Sequence, residues 1–153
     1  MNTSAFDPQA FLDAQITEAF VKRPPIPAGE YIATIGEISV RTWSKNEKSG
    51  IAFDIPVALE IPSEVQQALG VDFKDGILNM KDSVFVDLNE AGMIDTGVGK
   101  NRGLRNYRDA TGTNTPGAPF SPRMFTGKVI TVKIKHEIYE GEPVERIGGV
   151  AKS

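Results

Sequence analysis

Apolar and polar residues alternate along much of this chain, and elsewhere they fall into helical spacing. From Ile51 to Ile61 (IAFDIPVALEI) every second residue is a large aliphatic or aromatic, the period of a strand with one buried face. Gly127–Ile138 (GKVITVKIKHEI) repeats the pattern, with Ile130, Val132 and Ile134 inward and Thr131, Lys133 and Lys135 outward. Asp82–Leu88 and Pro143–Ala151 predict two shorter strands. Glu30–Trp43 predicts one long strand whose apolar phase slips at Gly36, from Tyr31, Ala33 and Ile35 to Ile38 and Val40. A glycine at a phase slip marks a bulge or a sharp bend. Pro56 lacks an N–H, so its side of the Ile51–Ile61 strand must be an edge or a bulge. The polar turn Ser44–Gly50 joins these two runs into a hairpin.

Three helices are predicted. In Asp7–Val21 the residues Phe11, Leu12, Ile16, Ala19 and Phe20 make one stripe, with Asp7 as cap and Pro8 in the first turn. The prolines of KRPPIPAG end it. Ser63–Gly70 is a short helix with Ser63 as cap and Gly70 as stop. Asn101–Thr111 puts Leu104, Tyr107, Ala110 and Thr111 on one side, with Gly112 as terminator, although Gly103 costs about 1 kcal/mol relative to alanine. Five strands, a long bent first strand and a helix before the fourth suit an OB-fold, a small Greek-key barrel; a β-sandwich with peripheral helices is the competing architecture. The expected organisation is an N-terminal helix and proline-rich connector over residues 1–29, then an OB-like barrel domain over 30–153.

Composition narrows the chemistry. The 153 residues include no cysteine, which excludes disulfides, thiolate metal sites and cysteine nucleophiles. No apolar run approaches the ~20 residues of a membrane span, and the N-terminus lacks the pattern of a signal peptide, so a cytoplasmic protein with no membrane partner is expected. His136 is the only histidine, and no G-x-S-x-G elbow is present. Gly97, Gly99 and Gly103 are spaced one residue too long for a dinucleotide fingerprint, and Asn101 follows Gly99-Lys100 where a P-loop needs Ser or Thr. A metal site would need carboxylates alone; Asp82, Asp87, Glu90 and Asp95 are near in sequence and could hold Mg²⁺, but acidic residues on turns are usually solvated. The expectation is a protein that is not an enzyme, with no cofactor and no metal.

Charge is what changes the picture. The net charge is −3, yet Val98–Lys135 carries eight basic residues against Asp109 alone, a local +7 against −10 for the rest. Such a segment is either a solvated face or a phosphate-binding surface. Single-strand binders add aromatic side chains on which bases stack. The candidate platforms are Tyr31, Trp43, Tyr107, Phe120, Phe125 and Tyr139. Trp43 stands beside Arg41, Lys45 and Lys48, where an OB-fold places a ligand-closing loop, and packing on the core edge is its alternative. Tyr107 is equally suited to anchor its helix in the core. The nucleic-acid-binding set read from the sequence is Arg41, Trp43, Lys45, Lys48, Lys100, Arg102, Arg105, Tyr107, Arg108, Arg123, Lys128, Lys133 and Lys135. Arg102, Arg105 and Arg108 recur every third residue, which keeps them on one flank of a helix.

PIPAGEY leading into a strand, then LN and GKNRGLRNYRDATG, then GKVITVKIKHEIYEGEP together resemble the small bacteriophage-encoded OB-fold single-stranded DNA-binding proteins, over roughly Phe6 to Val150. The resemblance implies an OB barrel, binding to single-stranded DNA with little sequence preference, and a role in phage replication or recombination in the host cytoplasm. It also implies replication or recombination proteins as partners. Many single-stranded DNA-binding proteins end in an acidic recruiting tail, whereas this sequence closes on RIGGVAKS. The N-terminal helix, as a surface for partners or for a homo-oligomer, is the alternative. Two other functions stand beside this one: a phage structural or assembly protein that uses the barrel for protein contacts, and a Mg²⁺-dependent nuclease.

Overall fold

A computed structural model describes residues 6–153. Its centre is a six-stranded antiparallel sheet built around β3. The strands are β1 (Gly29–Ile35), β2 (Ser39–Lys45), β3 (Lys48–Glu60), β4 (Ile77–Val86), β5 (Val129–Tyr139) and β6 (Glu142–Lys152). One edge of β3 pairs with β4 from Ile51 to Glu60. Its other edge is shared, β2 taking the first part and β1 the last. β1 then pairs with β5, and β5 with β6.

The expected five strands are therefore six, because the run Glu30–Trp43 breaks in two. The break has a physical cause on each strand. The Gly36 amide donates to Pro56 O at 2.8 Å, so the side of Pro56 that lacks an N–H faces the junction of β1 and β2, where no ladder bond is lost. A Cβ on Gly36 would lie 3.2 Å from the Pro56 ring, so glycine is what lets the two strands close there. A closed barrel was also expected. Among the described residues, no ladder joins β4 to β6, and the sheet is open along that line.

Helix α3 (Arg102–Thr111) lies against β4, β5 and β6. Leu104, Tyr107 and Ala110 are buried, as their spacing predicts, and Gly112 ends the helix in the left-handed region at φ 71°. Gly103 is explained by packing: a Cβ there would sit 3.1 Å from Val84 Cγ1. Helix α2 (Ser63–Leu69) is capped by Pro62 rather than Ser63, which makes no side-chain cap bond. β4 begins at Ile77 rather than Asp82, because β3 offers it ladder bonds along ten residues.

The N-terminal helix is much shorter than predicted. α1 covers only Pro8–Leu12, with the Asp7 carboxylate accepting from the Gln9 amide at 3.0 Å. Phe11, Leu12, Ile16 and Phe20 are all exposed, so nothing covers the stripe that would sustain a longer helix. The connector after it is firmly seated. Ile26 is fully buried, worth about 1.5–3 kcal/mol, and its carbonyl accepts from His136 Nε2 at 2.7 Å. Arg23 meets Glu145 at 2.6 Å, and Tyr31 Oη donates to Pro27 O at 2.6 Å. The core joins Ile26 to Ala33, Ile35, Ile55, Leu59, Phe125, Ile130 and Val132. Among the described residues, no helix is long and apolar enough to cross a membrane.

Candidate nucleic-acid interface

Paired residues of an antiparallel ladder project to the same face, so register alone assigns the outward face of β2, β3 and β4. Arg41, Ala52 and Phe85 share it, as do Trp43 with Gly50, Asp54 with Ser83, and Pro56 with Lys81. Trp43 lies over its partner glycine: a Cβ at Gly50 would come within 2.8 Å of the indole Nε1. The indole meets the Phe85 ring edge-on, with centroids 5.8 Å apart and planes at 86°. Such pairs gain about 0.5–1.5 kcal/mol beyond their buried area. Phe85 remains 60 % exposed, whereas Ala52, on the same face, is fully buried.

The same face carries a fixed charge network. Arg41 Nε donates to both oxygens of Asp54, at 3.1 and 3.0 Å, and Ser83 Oγ donates to Asp54 Oδ1 at 2.7 Å. The Ser83 hydrogen bond, and after it the Arg41 guanidinium, hold the Asp54 carboxyl below the usual aspartate range. Lys81 adds positive charge nearby. Lys45 and Lys48 face each other across the β2–β3 turn. That turn is two residues, Asn46 and Glu47, both at positive φ (52° and 64°), the geometry that matches the twist of a hairpin.

The second basic region is the flank of α3. Its entrance is organised by Asn101, buried and left-handed at φ 51°. The Asn101 side chain accepts from the Asp87 amide at 2.7 Å and donates to Asp87 O at 2.9 Å and Asp95 O at 2.8 Å. Its own amide donates to Asp87 Oδ2 at 2.9 Å. Asp95 Oδ1 accepts from the Gly97 amide at 2.8 Å. Asp87 and Asp95, weighed as metal ligands, thus shape the loop, and among the described residues no acidic and histidine cluster is arranged to hold a metal ion.

Lys100, Arg102 and Arg105 are exposed, and no ion pair among the described residues engages them. Arg108 departs from that flank. Its Nη2 donates to Thr113 O at 2.9 Å and its guanidinium lies 4.2 Å over the Phe120 ring, which fixes the loop after α3. Tyr107, read as a stacking candidate, is buried. Its hydroxyl donates to Asp82 Oδ2 at 2.8 Å, and its ring packs 6.0 Å from Phe125. It cannot stack a base, and the reading of it as the anchor of α3 is the one that holds. Burial raises both members of this pair, the Asp82 carboxyl and the Tyr107 hydroxyl.

The remaining cations are dispersed. Lys133 and Lys135 sit on the outward face of β5, opposite Gly149 and Arg146 of β6, and Lys135 pairs with Glu137 at 2.9 Å. Lys128 precedes β5, and Arg123 lies in the short 3₁₀ turn Pro122–Phe125; both are exposed. A groove of about 280 Å³ separates the edges of β4 and β6. Ser83 and Phe85 line one wall, Gly148 and Gly149 the other, and Gly103 and Asn106 of α3 lie between. The structure therefore gathers Arg41, Trp43, Lys45 and Lys48 on one hairpin and sets α3 beside it across β4. The β5 lysines stand on the far side of the groove.

Of the aromatic candidates, Tyr31 and Phe125 are buried, Phe120 is held by Arg108, and Trp43 and Tyr139 stay reachable. Phe85 and Lys81 were not singled out from the sequence. The signal was present for Phe85: it is the aromatic on the polar phase of the Asp82–Leu88 alternation. The chain matches no protein-family model, and a search of curated proteins finds no significant relative.

Proposed function

We propose that this chain binds single-stranded DNA with little sequence preference, as an OB-type domain whose outward β2–β3–β4 face is the base platform. One observation carries the reading: half-buried Trp43 and exposed Phe85 form an aromatic pair on a sheet face ringed by Arg41, Lys45, Lys48 and Lys81. Bases stack on such platforms, while lysine and arginine neutralise the phosphates. The strand order supports it. If β1 and β2 are the two halves of one bent strand, β3 and β4 become the second and third strands of an OB-fold, the pair whose face takes oligonucleotides.

Arg41 meets Asp54 through Nε alone, which leaves its terminal nitrogens for phosphate. Lys100, Arg102, Arg105, Arg123, Lys128, Lys133 and Lys135 extend the positive field beyond the platform. The biological role that fits is coating single strands in replication or recombination, in the cytoplasm of a phage-infected bacterium. The assembly-protein reading draws on a different feature, the exposed apolar N-terminal arm, and does not require the platform.

Trp43 is the single tryptophan, so its fluorescence reports directly. Titration with oligo-dT is expected to quench it, with affinity falling steeply between about 50 mM and about 200 mM salt. Absence of quenching and of binding at the lower salt would reject DNA binding.

A further inference from the structure

Six exposed large apolar residues follow one another along the N-terminal arm. Phe6, Phe11, Leu12, Ile16, Phe20 and Val21 are 69–92 % exposed, far beyond the scattered exposure normal for single residues. The arm is also anionic: between Phe6 and Val21 it carries Asp7, Asp13 and Glu18 and no basic residue.

A cleft elsewhere on the molecule has the complementary character. It has a volume of about 320 Å³ and opens between the loop 94–99 and α3. Ile94, Val98 and Leu104 supply apolar lining, and Lys100, Arg105 and Arg108 supply positive charge against one carboxylate, Asp95, which accepts from the Gly97 amide. Val98 is fully exposed there, and neighbouring Met93 is 66 % exposed.

We propose that the N-terminal arm of one copy docks in the α3 cleft of a second copy. Apolar side chains would enter the cleft while Asp13 and Glu18 face Lys100 and Arg105. The occupant is a second copy because the arm of a lone chain does not take the site. Its root is pinned to the β5–β6 hairpin by Lys22 to Glu142 at 3.5 Å and Arg23 to Glu145 at 2.6 Å, and the residues beyond it stand clear with their apolar side chains in solvent. Docking also accounts for the truncated helix. Phe11, Leu12, Ile16 and Phe20 keep helical spacing past the point where α1 stops, so a covering surface would extend α1 along the arm.

The test uses the full chain without nucleic acid, so its failure is distinct from a failure of DNA binding. Sedimentation velocity over a concentration series is expected to show self-association. Reversing the arm charges (Asp13→Lys with Glu18→Lys), or the cleft charges (Lys100→Glu with Arg105→Glu), is expected to weaken it by about tenfold. Combining both reversals in one chain is expected to restore it, which excludes misfolding as the cause. A monomer at every concentration overturns the proposal, including the case in which the arm folds onto its own cleft. Association lost on arm reversal but untouched by cleft reversal overturns the assignment of the site, and so does a combined variant that fails to recover.

Discussion

The outward face of β2, β3 and β4 and the exposed flank of α3 both carry positive charge, but they hold it differently. On the sheet, the central groups are fixed by one another, Trp43 by Gly50 and Phe85, Arg41 by Asp54, and Asp54 by Ser83, with Lys45, Lys48 and Lys81 around them. At the helix, Lys100 just before it and Arg102 and Arg105 on it are exposed, and no ion pair among the described residues orients them. A preorganised aromatic pair selects a planar ligand and loses little freedom on binding it. Unpartnered cations attract any nearby anion, nucleic acid or acidic peptide alike, with strength that salt removes. Under the proposed function, the difference separates a surface for stacking bases from one for attracting charge.

The sharpest way to break the comparison is to dissolve one region and leave the other. Asn101→Ala removes three buried side-chain hydrogen bonds and places alanine at a positive φ, so it should cost about 3 kcal/mol in urea unfolding. The Trp43 emission of the folded variant should stay unchanged, since Trp43 lies on β2 and its neighbour Phe85 is held in the β3–β4 ladder opposite Ala52. A matching loss of the Trp43 environment would show that the two regions form one unit.

A smaller effect compares their roles in binding. Phe85→Ala should weaken oligo-dT affinity by about 1–3 kcal/mol at all salt concentrations, the value of one stacked base. Arg105→Ala should cost less and lower the slope of log affinity against log salt by about 0.7. Equal slopes and equal losses in the two variants would erase the distinction.

The smallest effect is electrostatic. Asp54, held low by Ser83 and Arg41, contributes stability that is present above the ordinary aspartate range and lost as pH falls through its lowered value. Asp82, raised by burial beside Tyr107, has the opposite sign: stability declines as pH rises from the ordinary range through its raised value. Ser83→Ala should therefore flatten the acid side of a stability–pH curve. Asp82→Asn, which keeps an acceptor for Tyr107, should raise stability near neutral pH. Urea midpoints taken across the acid range measure both.

Much of the sheet was legible because alternation is a direct image of one buried face: Ile55, Val57 and Leu59, then Ile130, Val132 and Ile134, lie in the core as their spacing requires. Gly36 and Pro56 each announced an irregularity, but only the fold shows that they face each other and share one break. Gly103 read as a weak point in α3, because the nearness of Val84 is a tertiary fact. Tyr107 turns inward as its spacing allows, whereas Arg108 shares the charge of its exposed neighbours and its turn toward Phe120 depends on a contact across a loop. The stripe from Phe11 to Phe20 predicted a helix that needs a covering surface, and a single chain does not provide one.

The break at Gly36 and Pro56 also divides the motions of the sheet. β1 is held on both edges, by β3 and β5, whereas β2, among the described residues, pairs with β3 alone. The ladder that carries Trp43 can therefore unzip from the turn at Asn46 and Glu47 back to Ser39 without disturbing a single bond of β1. In hydrogen exchange the two strands are expected to be separate opening units, with β2 amides exchanging at a lower free energy than those of β1. The Trp43 side of the aromatic pair thus rests on the part of the sheet that can shift while the core beneath it stays closed, which would suit the proposed binding of a flexible single strand.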